Sequence, residues 1–140
     1  KKDIEKEVFK LFELKLKRAY LPEEETDGYR ILVDRLWPRG MSKVKMDLYQ
    51  WDKEAAPTNE ERKAFHDGLE DFETFKKDYL NELNQNPEAQ KLAQEIKTLL
   101  GKGNVTLIYG SKDQEHNNAV VLKEWVEQQI GLEQKPSADS

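Results

Sequence analysis

The sequence contains no cysteine, which excludes a disulfide framework, a thiolate nucleophile and any cysteine-bound zinc or iron–sulfur centre. It holds no apolar run near the roughly 18 residues that a membrane span needs, and no signal peptide is visible. Positive charge is in deficit, with 23 Lys+Arg against 28 Asp+Glu and a net charge of -5. A field of that sign repels phosphate, so a general electrostatic hold on nucleic acid or on an anionic membrane is disfavoured. Histidine is confined to His66 and His116, with no His-x-x-x-His spacing, and no metal site is expected. At 140 residues there is room for one domain. The class left standing is a soluble, cytoplasmic single domain.

What is present reads as strands separated by helices. Residues 14–20 alternate apolar and polar, the period of a half-buried strand. Residues 29–36 carry the continuous run Ile31-Leu32-Val33, the signature of a strand covered on both faces. Trp37-Pro38-Arg39-Gly40 breaks regular structure, and residues 42–51 read as a short helical turn or irregular segment. Thr58, three residues before Glu61, has the spacing of a capping box, so a helix starts there and ends at His66-Asp67-Gly68. A second helix puts Phe72, Phe75, Tyr79, Leu80 and Leu83 on one face. A third begins with Asn86 as N-cap and Pro87 in its first turn, and stops at Gly101. Residues 105–109 form a buried strand, followed by a helix from about Gln114 to Ile130.

These elements predict a small α/β domain over residues 13–131, with a short, largely parallel sheet of about three strands packed by helices. A helical insertion separates the second and third strands. Residues 1–12 are an N-terminal extension, either a short amphipathic helix or an arm, and residues 132–140 a disordered polar tail. The loop between the first two strands is short for a parallel crossover, so the first strand either runs antiparallel or sits at an edge.

In open α/β sheets, ligands bind beyond the carboxyl ends of the strands. One such end carries Asp34-Arg35-Leu36-Trp37-Pro38-Arg39, the other Gly110-Ser111-Lys112-Asp113 followed by His116 and Asn117. Of 5 Arg in the chain, Arg30, Arg35 and Arg39 fall within ten positions. Guanidinium forks bind carboxylate or phosphate bidentately, which lysine cannot do. The rival explanation is a structural ion pair between Asp34 and one of these arginines. A loop of Gly110, Ser111 and Lys112 leading to a helix N-terminus is compatible with an anion, although it lacks the glycine spacing of a Walker loop. There the rival is that Ser111 or Asp113 merely caps the helix. Either His could move a proton near neutral pH, or simply end or begin its helix. Trp37, Trp51, Trp125 and the Phe72/Phe75/Tyr79 row are expected in the core.

The string Asp27-Gly28-Tyr29-Arg30-Ile31-Leu32-Val33-Asp34-Arg35-Leu36-Trp37-Pro38-Arg39-Gly40, with Phe65-His66 and Glu115-His116-Asn117-Asn118, resembles the YeaO-like family of small bacterial proteins of unknown function. The likeness spans residues 13–127. It implies that Asp34, Arg35, Trp37, Arg39, Gly40, His66, His116 and Asn117 stand at the family's signature positions and converge on one site. A related branch carries paired cysteines, so no thiol or metal role transfers to this chain.

The leading expectation is therefore an enzyme acting on a small anionic or phosphorylated ligand. Arg30, Arg35, Arg39, Ser111, Lys112 and Asn117 would bind it. His116 would act as general acid/base, with Asp34 orienting it and His66 assisting. The alternative is a non-catalytic ligand-sensing or nucleic-acid-associated module. The residues name no cofactor.

Overall fold

The structure is a computed structural model that describes residues 12–131. Strands β1 (Leu14–Arg18), β2 (Tyr29–Leu32), β3 (Gln50–Trp51) and β4 (Val105–Tyr109) form one sheet in the order β1-β4-β2-β3. Every pairing is parallel. Five α-helices accompany them: α1 (Lys43–Met46), α2 (Asn59–His66), α3 (Phe72–Asn84), α4 (Pro87–Leu100) and α5 (Asn118–Ile130). The expected extension lies outside the described residues except for Phe12, which packs against the core, and the expected tail lies outside them entirely.

Alternation along each strand divides the sheet into two apolar faces. Leu14, Ile31, Val33, Val105, Leu107 and Tyr109 join the larger cluster, where the inner faces of α3, α4 and α5 cover them. Leu32 and Ile108 point the other way, into a smaller cluster with Ala19 and Met46, shielded by Trp37 and Trp51. The Ile31-Leu32-Val33 run is apolar throughout because both faces of β2 are buried.

The first strand lies at the sheet edge and runs parallel to its neighbour β4, so the antiparallel alternative falls. The connection is short enough because it returns in extended form across β4, with only a 3-10 turn over Glu25–Asp27. Two bonds mark its path: Lys17 Nζ donates to the Pro22 carbonyl at 2.8 Å, and Thr106 Oγ1 to the Asp27 carbonyl at 2.7 Å. Gly28 closes the passage at φ 67°, where a Cβ would overlap the Asn104 carbonyl.

The sheet has a fourth strand, β3, in the segment the sequence left as a turn or irregular. Two residues are too few to show a period, and pairing with β2 defines them. The final helix also starts later than expected, at Asn118, with Asn117 as N-cap accepting from Val120 N at 3.0 Å. Asp113 makes the delay possible. Its Oδ1 accepts from the backbone N–H groups of both Glu115 and His116 at 3.0 Å, holding a turn that competes with helix.

Candidate functional site

The parallel order brings the carboxyl ends of β2 and β4 side by side, and one hydrogen bond joins them. Gly110 N donates to Asp34 Oδ2 at 2.9 Å. Asn118, in the first turn of α5, donates to Asp34 Oδ1 at 3.0 Å and to the Val33 carbonyl at 3.1 Å. A Cβ at position 110 would stand 3.3 Å from Asp34 Oδ2, so glycine there permits the approach. Burial pushes the Asp34 carboxyl above its ordinary value, against the opposing pull of the Asn118 and Gly110 bonds and the Arg62 charge.

A cavity of about 520 Å³ opens beside Asp34. Its cationic lining is Arg35, Arg39 and Arg62, three of the 5 Arg in the chain. The three are not equivalent. Arg35 is tied into the scaffold, its Nε donating to the Pro57 carbonyl at 2.8 Å and its Nη2 to the Ala56 carbonyl at 3.1 Å. Arg62 has one long contact, Nη2 to Asn59 Oδ1 at 3.4 Å, while its buried Nε has no partner. Arg39 is exposed; its carbonyl accepts from Tyr20 Oη at 2.9 Å, and its guanidinium has no partner among the described residues. Phe65, Phe75 and Pro57 supply an apolar wall. Phe65 and Phe75 stack at 4.6 Å and 17°.

The structure brings Asp34, Arg35, Arg39, His66, Ser111 and Asn117 to this cavity. Arg30 stands elsewhere: it is 2% exposed, paired with Asp27 Oδ2 at 2.6 Å and bonded to the Met46 carbonyl. Lys112 is exposed and outside the lining. His116 is also outside it, its Nδ1 3.1 Å from Asp113 Oδ2 and its ring edge-on to Phe72 at 5.0 Å. Asn117 and Ser111 have structural work as well. Asn117 caps α5 and donates to the Asp113 carbonyl at 2.8 Å, and Ser111 Oγ bonds the Asp113 backbone. Asp34 forms no ion pair with an arginine among the described residues.

Sequence reasoning passed over Arg62, Asn118 and the aromatic wall as site residues. Arg62, Phe65 and His66 lie at i, i+3 and i+4 on α2, one helical face, and that spacing was the available signal. Trp37 and Trp51 are packing residues, edge-on at 5.3 Å, with Trp51 Nε1 donating to the Asp34 carbonyl at 2.8 Å. The Trp37–Pro38 bond is trans.

Away from the strand ends, Glu61, Glu70 and Asp78 bring one carboxylate oxygen each within 4.8 Å of one another, the described residues' candidate for a metal. Burial, the hydrogen bond that protonated Glu61 can donate to Glu70, and the charges of Glu70, Asp78 and Glu82 push Glu61 up to about 8. Glu61 Oε2 and Glu70 Oε1 are buried without a hydrogen-bond partner.

The chain matches the sequence profile of DUF488-N3i, described as the inactive DUF488-N3 subclade, over residues 13–140. It is 46% identical over 113 residues to the uncharacterized protein YeaO of Escherichia coli strain K12, covering 81% of this chain and 96% of that protein. It is 33% identical over 109 residues to the uncharacterized protein Rv3073c of Mycobacterium tuberculosis, covering 78% of this chain and 89% of that one. The uncharacterized protein Mb3100c of Mycobacterium bovis matches to the same extent, 33% over 109 residues. No solved structure matches the chain.

Proposed function

This chain belongs to the YeaO-like DUF488-N3 family, in the subclade described as inactive, and from that premise we propose that it is a binding module which captures a small anionic ligand without turning it over. The observation that carries the reading is that Arg39 and Arg62, neither of which makes an ion pair or a bond to a backbone carbonyl through its guanidinium among the described residues, both line a cavity of about 520 Å³. In a chain of net charge -5, such a cavity concentrates positive field where the rest of the surface repels anions. Arg39 and Arg62 hold the oxyanion, Arg35 holds the cavity wall, and the positive end of α5 adds its field. The volume is that of a small-metabolite pocket.

Two observations favour binding over turnover. His116, the acid/base of the enzymatic expectation, is turned to Asp113 and Phe72 outside the cavity. Asp34 already spends a hydrogen bond at each oxygen on scaffold groups. Asp34 and His66 remain the two titratable groups on the wall through which a catalytic variant of this reading would work.

The test is a thermal-shift screen against sugar phosphates, nucleotides and carboxylates, run on the native chain and on an Arg39→Ala/Arg62→Ala double variant. A ligand at 100 times its Kd adds about 2.7 kcal/mol, several degrees for a domain of this size. The expected result is a phosphate-bearing ligand that stabilises the native chain, leaves the double variant unmoved and is recovered chemically unchanged. A silent panel, or equal shifts in both proteins, would overturn the anion site. Recovery of a product would overturn the non-catalytic part.

A further inference from the structure

Beside its guanidinium groups the cavity wall carries an acceptor with capacity to spare. Asp34 lies in its wall as a carboxylate with no cation at ion-pairing distance among the described residues. Each of its oxygens receives a single hydrogen bond, from Gly110 N at 2.9 Å and from Asn118 Nδ2 at 3.0 Å. A carboxylate oxygen has about two acceptor sites, so one remains at each. Inorganic phosphate near neutral pH keeps a P–OH that can donate to one of them but sets its own negative charge beside the carboxylate, whereas the fully ionised phosphate of a monoester has no proton to give, so phenyl phosphate is the control without a donor.

Resting on the anion-binding reading, we infer that the natural ligand is a phosphorylated, hydroxyl-bearing molecule of sugar-phosphate type, with its phosphate on Arg39 and Arg62 and a hydroxyl donated to Asp34. Three guanidinium groups against one carboxylate leave the cavity net positive, which disfavours an ammonium as the donor and selects a neutral hydroxyl. A cavity of about 520 Å³ is also far larger than inorganic phosphate needs. Two sources share this chemistry, a free sugar phosphate and the ribose phosphate of a nucleotide. The second would place its base on the Phe65 and Phe75 wall.

The test compares four probes on the full chain by titration calorimetry: inorganic phosphate, phenyl phosphate, ribose 5-phosphate and AMP. Phenyl phosphate has a ring and no hydroxyl, so it isolates the Asp34 contribution in the unmutated protein. Ribose 5-phosphate and AMP are expected to bind at least roughly tenfold tighter than phosphate or phenyl phosphate, as a hydrogen bond to a charged acceptor implies. The tighter of the two names the source. Asp34→Asn is expected to abolish that preference while binding inorganic phosphate as well or better, since a negative charge has left the cavity. A merely structural role for Asp34 would weaken all four probes together. Asn118→Ala, which removes the donor that fixes the direction of Asp34 Oδ1 without removing its charge, is expected to lower the sugar-phosphate preference and leave inorganic phosphate binding unmoved.

If phosphate, phenyl phosphate and ribose 5-phosphate bind equally, the hydroxyl inference is overturned and the anion site stands. If none of the four binds, both fall.

Discussion

At the scale of single residues, the three cavity arginines separate into one tied to backbone carbonyls and two that are not, the pair we propose as the anion's partners. Arg35 donates to two backbone carbonyls that lead into α2, while the Arg39 guanidinium has no partner among the described residues, only its carbonyl accepting from Tyr20 Oη. Arg35→Ala would leave both carbonyls without their donor and is expected to cost about 1–3 kcal/mol of stability. Arg39→Ala is expected to change stability by no more than about 0.5 kcal/mol, as an exposed substitution away from any packed feature. Urea unfolding of the two variants checks this. Equal losses would mean that the division of labour drawn from their hydrogen bonds is wrong. The same contrast explains why three arginines close in sequence do not act together: Arg30 sits inward on β2, where Asp27 and the Met46 carbonyl absorb its charge and its donors.

At the scale of elements, α2 is the least anchored part of the site. None of its residues is buried, yet Arg62, Phe65 and His66 of this helix line the cavity. It is held by the Thr58 cap and by Phe65 stacked on Phe75 of α3, and its Glu61 carboxyl sits against those of Glu70 and Asp78, one oxygen of each within 4.8 Å of the others. That last contact has a sign. The folded chain keeps a proton on Glu61 up to about pH 8, whereas an unfolded glutamate loses it near 4.5. Between those values the native state binds more protons than the unfolded one, so this group's contribution is full at the acid end and lost as pH rises through 8. Glu61 is partly exposed and water screens the effect, so direction is the claim. Thermal melts from pH 5 to 9 are expected to show Glu61→Gln falling less steeply than the native chain and melting higher at pH 9. Parallel curves would remove the shared proton from the account.

At the scale of the whole molecule, the site follows from topology. A parallel sheet in the order β1-β4-β2-β3 sets the ends of β4 and β2 beside each other, and α5 starts at that seam. Much of this was legible in the sequence. The apolar run at Ile31–Val33, the Thr58 and Asn86 caps and the stop at Gly101 each rest on local rules, and local rules survive folding. The pairing of the Asp34 and Gly110 loops was legible too, because it needs only parallel neighbours. What was not legible depends on contacts far apart in sequence. The two residues of β3 are a strand only through β2, and the start of α5 was moved by the Asp113 turn. Arg62 enters the cavity because α2 folds back over a strand end some 28 positions upstream in the chain.

The most direct measurement of the central claim is a 15N-edited NMR titration of the full chain with ribose 5-phosphate, following the side-chain Nε–H groups of Arg39 and Arg62. Both signals are expected to move with one common Kd. If both stay still while the ligand perturbs only lysines outside the cavity, the claim that these two guanidinium groups form the anion site is contradicted.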